Sequence, residues 1–125
     1  MKVLLSIKPE YVDEIFKGTK KYEYRKKIFK NKNVKKIVVY ATKPLGKVVG
    51  EFSIGKVIHD TPENIWTKTY KYSGISKEFF DSYFSKKDFG FAIQIKEINL
   101  YDEAKDITEF NIKQAPQSFR YVETY

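Results

Sequence analysis

The sequence predicts an α+β fold that is mainly β: a small β-barrel of about five or six mostly antiparallel strands, with one early helix and two short middle helices. Two observations support this class, and a third concerns the number of domains. Runs of β-branched and aromatic residues follow one another across short turns, which favours antiparallel pairing. A dozen or more of these side chains point inward, and a small sheet that buries so many tends to close, because closure removes exposed edges. The 125 residues contain no internal repeat and no linker, which indicates a single domain over residues 1–125.

The chain opens with a strand over residues 2–8 and a helix over residues 9–17. Pro9 suits a first helical turn, since the N–H that proline lacks would have no partner there. Gly18 ends the helix, because glycine accepts the left-handed backbone that follows a helix. An extended segment over residues 20–28 comes next.

Two strands are predicted after a polar turn, over residues 34–42 and 46–58. The first is rich in β-branched residues and ends before a proline. The second contains Gly50 and Gly55, which mark bends or bulges.

Two short helices are predicted in the middle of the chain. Thr61 and Pro62 form an N-cap and first-turn pair. Ser76 caps the second helix, which carries its aromatic residues on one stripe: Phe79, Phe80, Tyr83 and Phe84. Trp66 is interpreted as an anchor of the first of these helices, and His59 as a loop or capping residue.

The last predicted strand alternates cleanly from Phe89 to Ile95, so Phe89, Phe91, Ile93 and Ile95 are expected to face inward. The alternation shifts after residue 95, which predicts a bulge near Lys96 or Glu97. The segment over residues 116–122 is expected to pack against the body of the fold.

Composition excludes several classes of site. There is no cysteine, so disulfides and thiol chemistry are absent, and a reducing cytoplasm is the expected location. With His59 as the one histidine, no structural metal and no cofactor are expected. No apolar run approaches the roughly 20 residues that cross a bilayer, so no membrane association is expected.

Positive charge is concentrated in one window of the chain. Residues 17–36 hold ten basic side chains and one acid, so the window carries +9, whereas the whole chain carries +8. Such a patch is typical of nucleic-acid binding. A solvated loop in a lysine-rich protein explains the same charge, and the composition favours neither reading.

Arginine is used twice among 24 basic residues, at Arg25 and Arg120. Its planar fork holds a carboxylate, a phosphate or a base edge with two parallel bonds, which lysine does not do. Both positions are therefore candidates for a site. The alternative is that both arginines serve as structural ion-pair partners.

Lys20, Glu23 and Arg25 form a mixed-charge set in six residues. Glu23 and Arg25 lie on one face of the predicted strand, opposite Tyr22 and Tyr24. A carboxylate between two cations stays ionised, which makes Glu23 an orienting group for the guanidinium. Lys20 and Arg25 would then face a phosphate or a base edge. A structural Glu–Arg pair that closes the mouth of the barrel is the alternative.

Four segments of the chain resemble the ASCH domain family, a group within the PUA-like superfamily of small β-barrels. The first contains the motif Gly18-x-Lys20-x-x-Glu23-x-Arg25 after the first strand and helix. The segments are LLSIKPEYVDEIFKGTKKYEYR, YATKPLGKVVGEFSIGKV, GISKEFFDSYF and APQSFRYV, in that order.

The resemblance implies a module that binds RNA or a nucleotide in a basic cleft lined by the motif, with a link to translation or transcription control. Some members of the family resemble nucleases, and others are amidohydrolases that act on acylated cytidine. Members of the latter group carry a threonine where this chain has Glu23, and the stretch over residues 71–76 has no acid. The alternative function is therefore a small hydrolase, a ribonuclease or an amidohydrolase on a modified nucleoside.

Further side chains are candidates for the RNA site. Lys8 ends the first strand, and Tyr40 ends a later one, where it could stack on a base or pack in the core. Gln117, Ser118 and Arg120 offer polar groups that either read the ligand or seal the barrel. No catalytic residue is assigned; if the protein is an enzyme, it is a metal-independent hydrolase that uses Lys20, Glu23 and Tyr40.

Overall fold

The computed structural model of the chain describes residues 1–122. Six strands and three α-helices follow one another as β1 (Lys2–Ile7), α1 (Pro9–Lys17), β2 (Tyr22–Arg25), β3 (Lys36–Ala41), β4 (Lys47–Asp60), α2 (Pro62–Thr69), α3 (Lys77–Tyr83), β5 (Gly90–Lys105) and β6 (Phe119–Val122). Short 3₁₀ turns occupy Tyr70–Tyr72 and Ile107–Phe110.

All six strands belong to one sheet with the order β2-β5-β4-β3-β1-β6. β1 and β3 run parallel, and the remaining neighbours pair antiparallel. The predicted class, the strand number, the mostly antiparallel pairing and the three helices are therefore confirmed. The parallel pair brings the carboxyl ends of β1 and β3 to the same edge of the sheet, and this edge holds the site described below.

The predicted closure of the barrel is wrong, because β2 and β6 are the two ends of the sheet and do not pair with each other. β2 has only four residues, and the basic loop, residues 26–35, leaves it and covers the gap. Phe29 packs edge-on against Phe119 with ring centroids 6.0 Å apart. The Tyr121 hydroxyl accepts bonds from the backbone N–H groups of Lys30 and Asn31, each at 3.1 Å. Side chains and a loop thus seal the sheet between β2 and β6, where a sixth strand pairing would be needed to close it.

α1 spans the residues that the sequence predicts. Gly18 has a φ of 84°, and its N–H bonds the Ile15 carbonyl at 3.0 Å, as the left-handed end of a helix requires. Thr61 and Ser76 cap α2 and α3 with their hydroxyl groups, also as predicted.

The predicted irregularities of β4 and β5, which pair antiparallel, are present. Phe52 pairs with Ile98 whereas Ile54 pairs with Ile95, so β5 carries one extra residue within 96–97. A second shift between Ile54 and Val57 gives β4 one extra residue within 55–56, next to or at Gly55. The prediction that Phe89 faces inward is wrong: it precedes β5 and is 57% exposed. His59 lies within β4, not in a loop.

The core consists of three apolar clusters. The largest lies between the sheet and α1, which contributes Val12 and Ile15. The second lies under the C-terminal segment around Ile112. The third is covered by α2 and α3 and contains Tyr24 and Phe80, whose rings meet edge-on at 5.0 Å. The third cluster fixes β2 against α3, and these two elements form opposite walls of the site.

Among residues 1–122, no helix is long and apolar enough to cross a membrane. The same residues contain no group of three or more His, Asp or Glu side chains placed to hold a metal ion.

Candidate functional site

A cavity of about 750 Å³ lies at the edge of the sheet where β1 and β3 end. β1, β2 and β3 form one side of it, and α1 and α3 form the other. The lining includes six of the eight candidate residues from the sequence: Lys8, Lys20, Glu23, Arg25, Tyr40 and Gln117. The fold therefore collects side chains from distant parts of the sequence around one hollow.

One wall of the cavity is aromatic. Tyr11, Phe79 and Tyr83 line it, and all three are half-buried. The ring centroids of Tyr11 and Phe79 lie 5.5 Å apart, and those of Phe79 and Tyr83 lie 6.4 Å apart with nearly parallel planes. Lys8 Nζ lies 5.3 Å from the Phe79 centroid, and Lys26 Nζ lies 4.7 Å from that of Tyr83. The wall thus offers flat apolar faces with ammonium groups beside them.

Lys20 lies at the bottom of this site and is 2% exposed. Its Nζ donates a 2.7 Å bond to the carbonyl oxygen of Ser73 and lies 4.8 Å from the Tyr24 ring centroid. Burial lowers the pKa of Lys20, and the charge of Glu23 opposes that shift in part. A buried amine with a lowered pKa beside a cavity is a candidate for acid–base chemistry.

The segment that covers Lys20 depends on Gly74. Gly74 has a φ of 68°, which favours glycine, and a Cβ at this position would lie 2.5 Å from Lys20 Cβ. Glycine therefore allows the backbone to lie against the lysine stem. The Ser73 carbonyl is presented to Nζ by this turn.

Arg25 joins the two open ends of the sheet. Its Nη2 donates to the Ser118 carbonyl at 3.0 Å, and its Nη1 lies 3.2 Å from Glu23 Oε2 and 3.4 Å from the Ser6 carbonyl. The side chains of Arg25 and Glu23 are 12% and 8% exposed. Glu23 orients the guanidinium as expected, and the carbonyl bonds favour the structural interpretation, in which this pair closes the mouth. A direct role of Arg25 in ligand binding stays a prediction.

The remaining candidates lie at different distances from the cavity. Tyr40 lines the cavity and also packs in the second core cluster, and its stacking on a base stays a prediction. Ser118 does not line the cavity, and its carbonyl and hydroxyl oxygens accept bonds from Arg25. Arg120 does not join them, because it lines a separate cavity with Lys2 and Glu51. Binding by each of these residues stays a prediction.

The aromatic wall was not predicted as part of a site. The expected single stripe on α3 is in fact two pairs at i,i+4 spacing: Phe80 and Phe84 are buried, while Phe79 and Tyr83 face the cavity. Four large aromatic residues in six positions are more than one buried helix face needs. This excess is the feature of the sequence that could have indicated a second aromatic face at the cavity. Tyr11 on α1 gave no comparable signal.

Comparisons with known proteins agree with this architecture. The family model described as ASCH domain matches residues 5–113. The large ribosomal subunit protein uL22 of Ureaplasma parvum is 32% identical over 120 residues, which cover 96% of this chain and 39% of that protein. The chain thus spans well under half the length of this relative.

Two comparisons involve Zymomonas mobilis. Its ASCH domain-containing ribonuclease is 27% identical over 125 residues, covering 95% of this chain and 82% of that protein. The crystal structure of ASCH from this organism superposes with a TM-score of 0.89 at 20% identity, covering 98% of this chain and 87% of that one. The likeness in structure extends over the whole sheet and its helices. With a family match over most of its length, the chain belongs to the ASCH domain family.

Proposed function

We propose that the protein binds single-stranded RNA and holds one nucleotide in the cavity. The observation that carries this proposal is the aromatic wall of Tyr11, Phe79 and Tyr83 with the ammonium groups of Lys8 and Lys26 beside it. An aromatic face stacks on any base and contributes about 1–3 kcal/mol per base. The ammonium groups neutralise phosphates. The volume of about 750 Å³ lies within the range typical of small-ligand sites.

Single strands suit this site better than duplexes. A cavity can accept only a base that is splayed away from its neighbours, as bases in single-stranded RNA are. α1 has nine residues and α3 has seven, and each carries acidic side chains, so neither resembles a helix that reads a major groove.

The relatives support an RNA ligand. One is named a ribonuclease, and another is a ribosomal protein with which this chain shares a 120-residue segment. We infer a role linked to translation or transcription control. The ribosomal relative is much longer than the matched segment, so the link to translation is a proposal for this chain.

Replacing Phe79 with alanine is expected to weaken binding of a labelled single-stranded RNA of about 12 nucleotides by roughly 5- to 150-fold, the loss of about 1–3 kcal/mol of stacking. Fluorescence anisotropy measures the dissociation constant over a series of salt concentrations. For the unmodified protein, the logarithm of affinity should fall with the logarithm of salt, with a slope of about −0.7 per phosphate contacted.

Phe89→Ala is the matched control, since Phe89 is exposed and lies outside the cavity. It should leave affinity unchanged, and thermal unfolding should show that both variants are folded. Equal losses in the two variants would place the site elsewhere. Absence of RNA binding by the unmodified protein at low salt would end the proposal.

A second candidate function is metal-independent cleavage of the bound RNA. The observation that favours it is Lys20, whose burial lowers its pKa at the floor of the cavity. A neutral amine there could take the proton of a ribose 2′-hydroxyl as that oxygen attacks the adjacent phosphorus. Tyr40, on the same cavity, carries a hydroxyl that could donate a proton to the departing 5′-oxygen. Glu23 is paired with Arg25 and serves as an orienting group.

A further inference from the structure

A second groove lies between the basic loop and β4. It has a volume of about 570 Å³. Aliphatic side chains of Ile28, Ile54 and Val57 form part of its lining, and Val57 is 42% exposed. Lysines of the basic loop also line it: Lys30, Lys32 and Lys35. The groove thus combines an apolar surface with a positively charged rim, outside the cavity described above.

Within residues 1–122, no acidic side chain pairs with the lysines of the basic loop. Its lysines are Lys26, Lys27, Lys30, Lys32 and Lys35, and it contains no acid. None of these lysines forms an ion pair within residues 1–122, although their neighbour Lys36 lies 3.5 Å from Glu51. Unpaired like charges on one loop attract a polyanion and gain free energy from counterion release when it binds.

The basic loop is continuous with the cavity. It begins directly after Arg25, and Lys26 Nζ lies 4.7 Å from the ring of Tyr83 on the cavity wall. Further along, the contacts of Phe29 with Phe119 and of the Tyr121 hydroxyl with the backbone hold the loop against β6. The lysines are therefore presented from a fixed backbone that leads away from the mouth of the cavity.

We propose that a single strand of RNA leaving the cavity passes Lys26 and follows the basic loop, with a base or sugar of a later nucleotide in the groove against Val57. This inference rests on the proposed function and extends it from one nucleotide to a site of about four or more, the lower end of the range for single-strand-binding folds. The apolar surface suits the face of a base, and the lysine rim suits phosphates on both sides of it. A segment of acidic protein is the competing occupant.

Lys32→Gln/Lys35→Gln tests this path, with Lys87→Gln/Lys113→Gln as the matched control on exposed lysines outside the groove. For a single-stranded RNA of about 12 nucleotides, the salt slope should become shallower by about 1.4, the contribution of two phosphates. By the same relation, affinity at about 0.1 M salt should fall roughly 25-fold. A trinucleotide, which reaches only the cavity, should bind both variants as it binds the unmodified protein.

Unchanged slopes in the groove variant, or equal changes in the control, would overturn the path. If Phe79→Ala still weakened the trinucleotide in that case, the cavity site would stand and only the extended path would fail. If neither the unmodified protein nor any variant bound the trinucleotide, the proposed function itself would be wrong. In a further outcome, the groove variant would bind polyglutamate with the expected loss of salt slope but bind RNA like the unmodified protein. That result would assign the lysines to binding an acidic protein and would overturn the inference.

Discussion

Arg25→Met is expected to lower the free energy of unfolding by about 3–5 kcal/mol, the usual cost of removing one partner of a buried ion pair. The substitution strands the buried carboxylate of Glu23 and removes the bonds to the carbonyl groups of Ser6 and Ser118. Those bonds connect β2 with the opposite end of the sheet, where no strand pairing exists. Urea denaturation followed by circular dichroism measures the change.

The matched control is Arg120→Met, which removes the other arginine of the chain. Arg120 is exposed and forms no ion pair within residues 1–122, so its loss should cost no more than about 0.5 kcal/mol. Arg25→Lys keeps the charge near Glu23 but not the planar fork, and it should fall between the two. Equal costs for the methionine variants would show that Arg25 does not hold the sheet together.

Lys20→Met is expected to slow metal-independent cleavage of single-stranded RNA by about 10²- to 10⁴-fold, the usual contribution of a general base. The assay follows labelled RNA in the presence of a chelator. Burial lowers the pKa of Lys20, so the amine becomes neutral at a lower pH than the ordinary value of about 10.4. The rate should therefore rise with pH through that lowered pKa and level off above it, and the rise should vanish in the variant.

A measurement of stability distinguishes loss of catalysis in Lys20→Met from loss of the fold. Because burial disfavours the charged form, the charge of Lys20 costs stability below its folded pKa, and the cost disappears as pH rises toward about 10.4. Lys20→Met removes that cost together with the bond to Ser73, so the variant should keep the fold at neutral pH.

Lys21→Met is the matched control, since Lys21 is exposed and lies over the ring of Tyr72 outside the cavity. It should leave the rate unchanged. An equal loss of rate in the two variants would place the base elsewhere. Absence of cleavage by the unmodified protein would remove this second candidate and leave the binding proposal intact.

Local rules predicted the parts of the fold that depend on neighbours in sequence. Pro9 and Gly18 set both ends of α1, because each residue restricts or frees the backbone of its own turn. The change of alternation after Ile95 located the bulge in β5 for the same reason. The failure of the barrel to close was not visible, since strand number and inward side chains do not determine whether the two end strands meet.

The sequence predicted which residues line the site better than it predicted the contacts that those residues make. The motif pattern placed Glu23 beside Arg25, but the carbonyl partner in Ser118 lies 93 positions away in sequence. Lys20 is covered by a turn that lies 53 positions later in the sequence. Both facts depend on long-range packing, which spacing within a motif does not encode. The concentration of positive charge over residues 17–36, in contrast, was visible in the sequence and corresponds in part to the basic loop.

Photo-crosslinking tests the central claim most directly. The probe is a single-stranded RNA that carries 4-thiouridine. Its length of about 12 nucleotides lies within the usual range of single-strand sites. The RNA is irradiated with the protein, and the crosslinked peptides are identified by mass spectrometry. The account predicts crosslinks at Tyr11, Phe79 or Tyr83, and their loss when unlabelled RNA competes. Specific crosslinks confined to surfaces away from the cavity would contradict it.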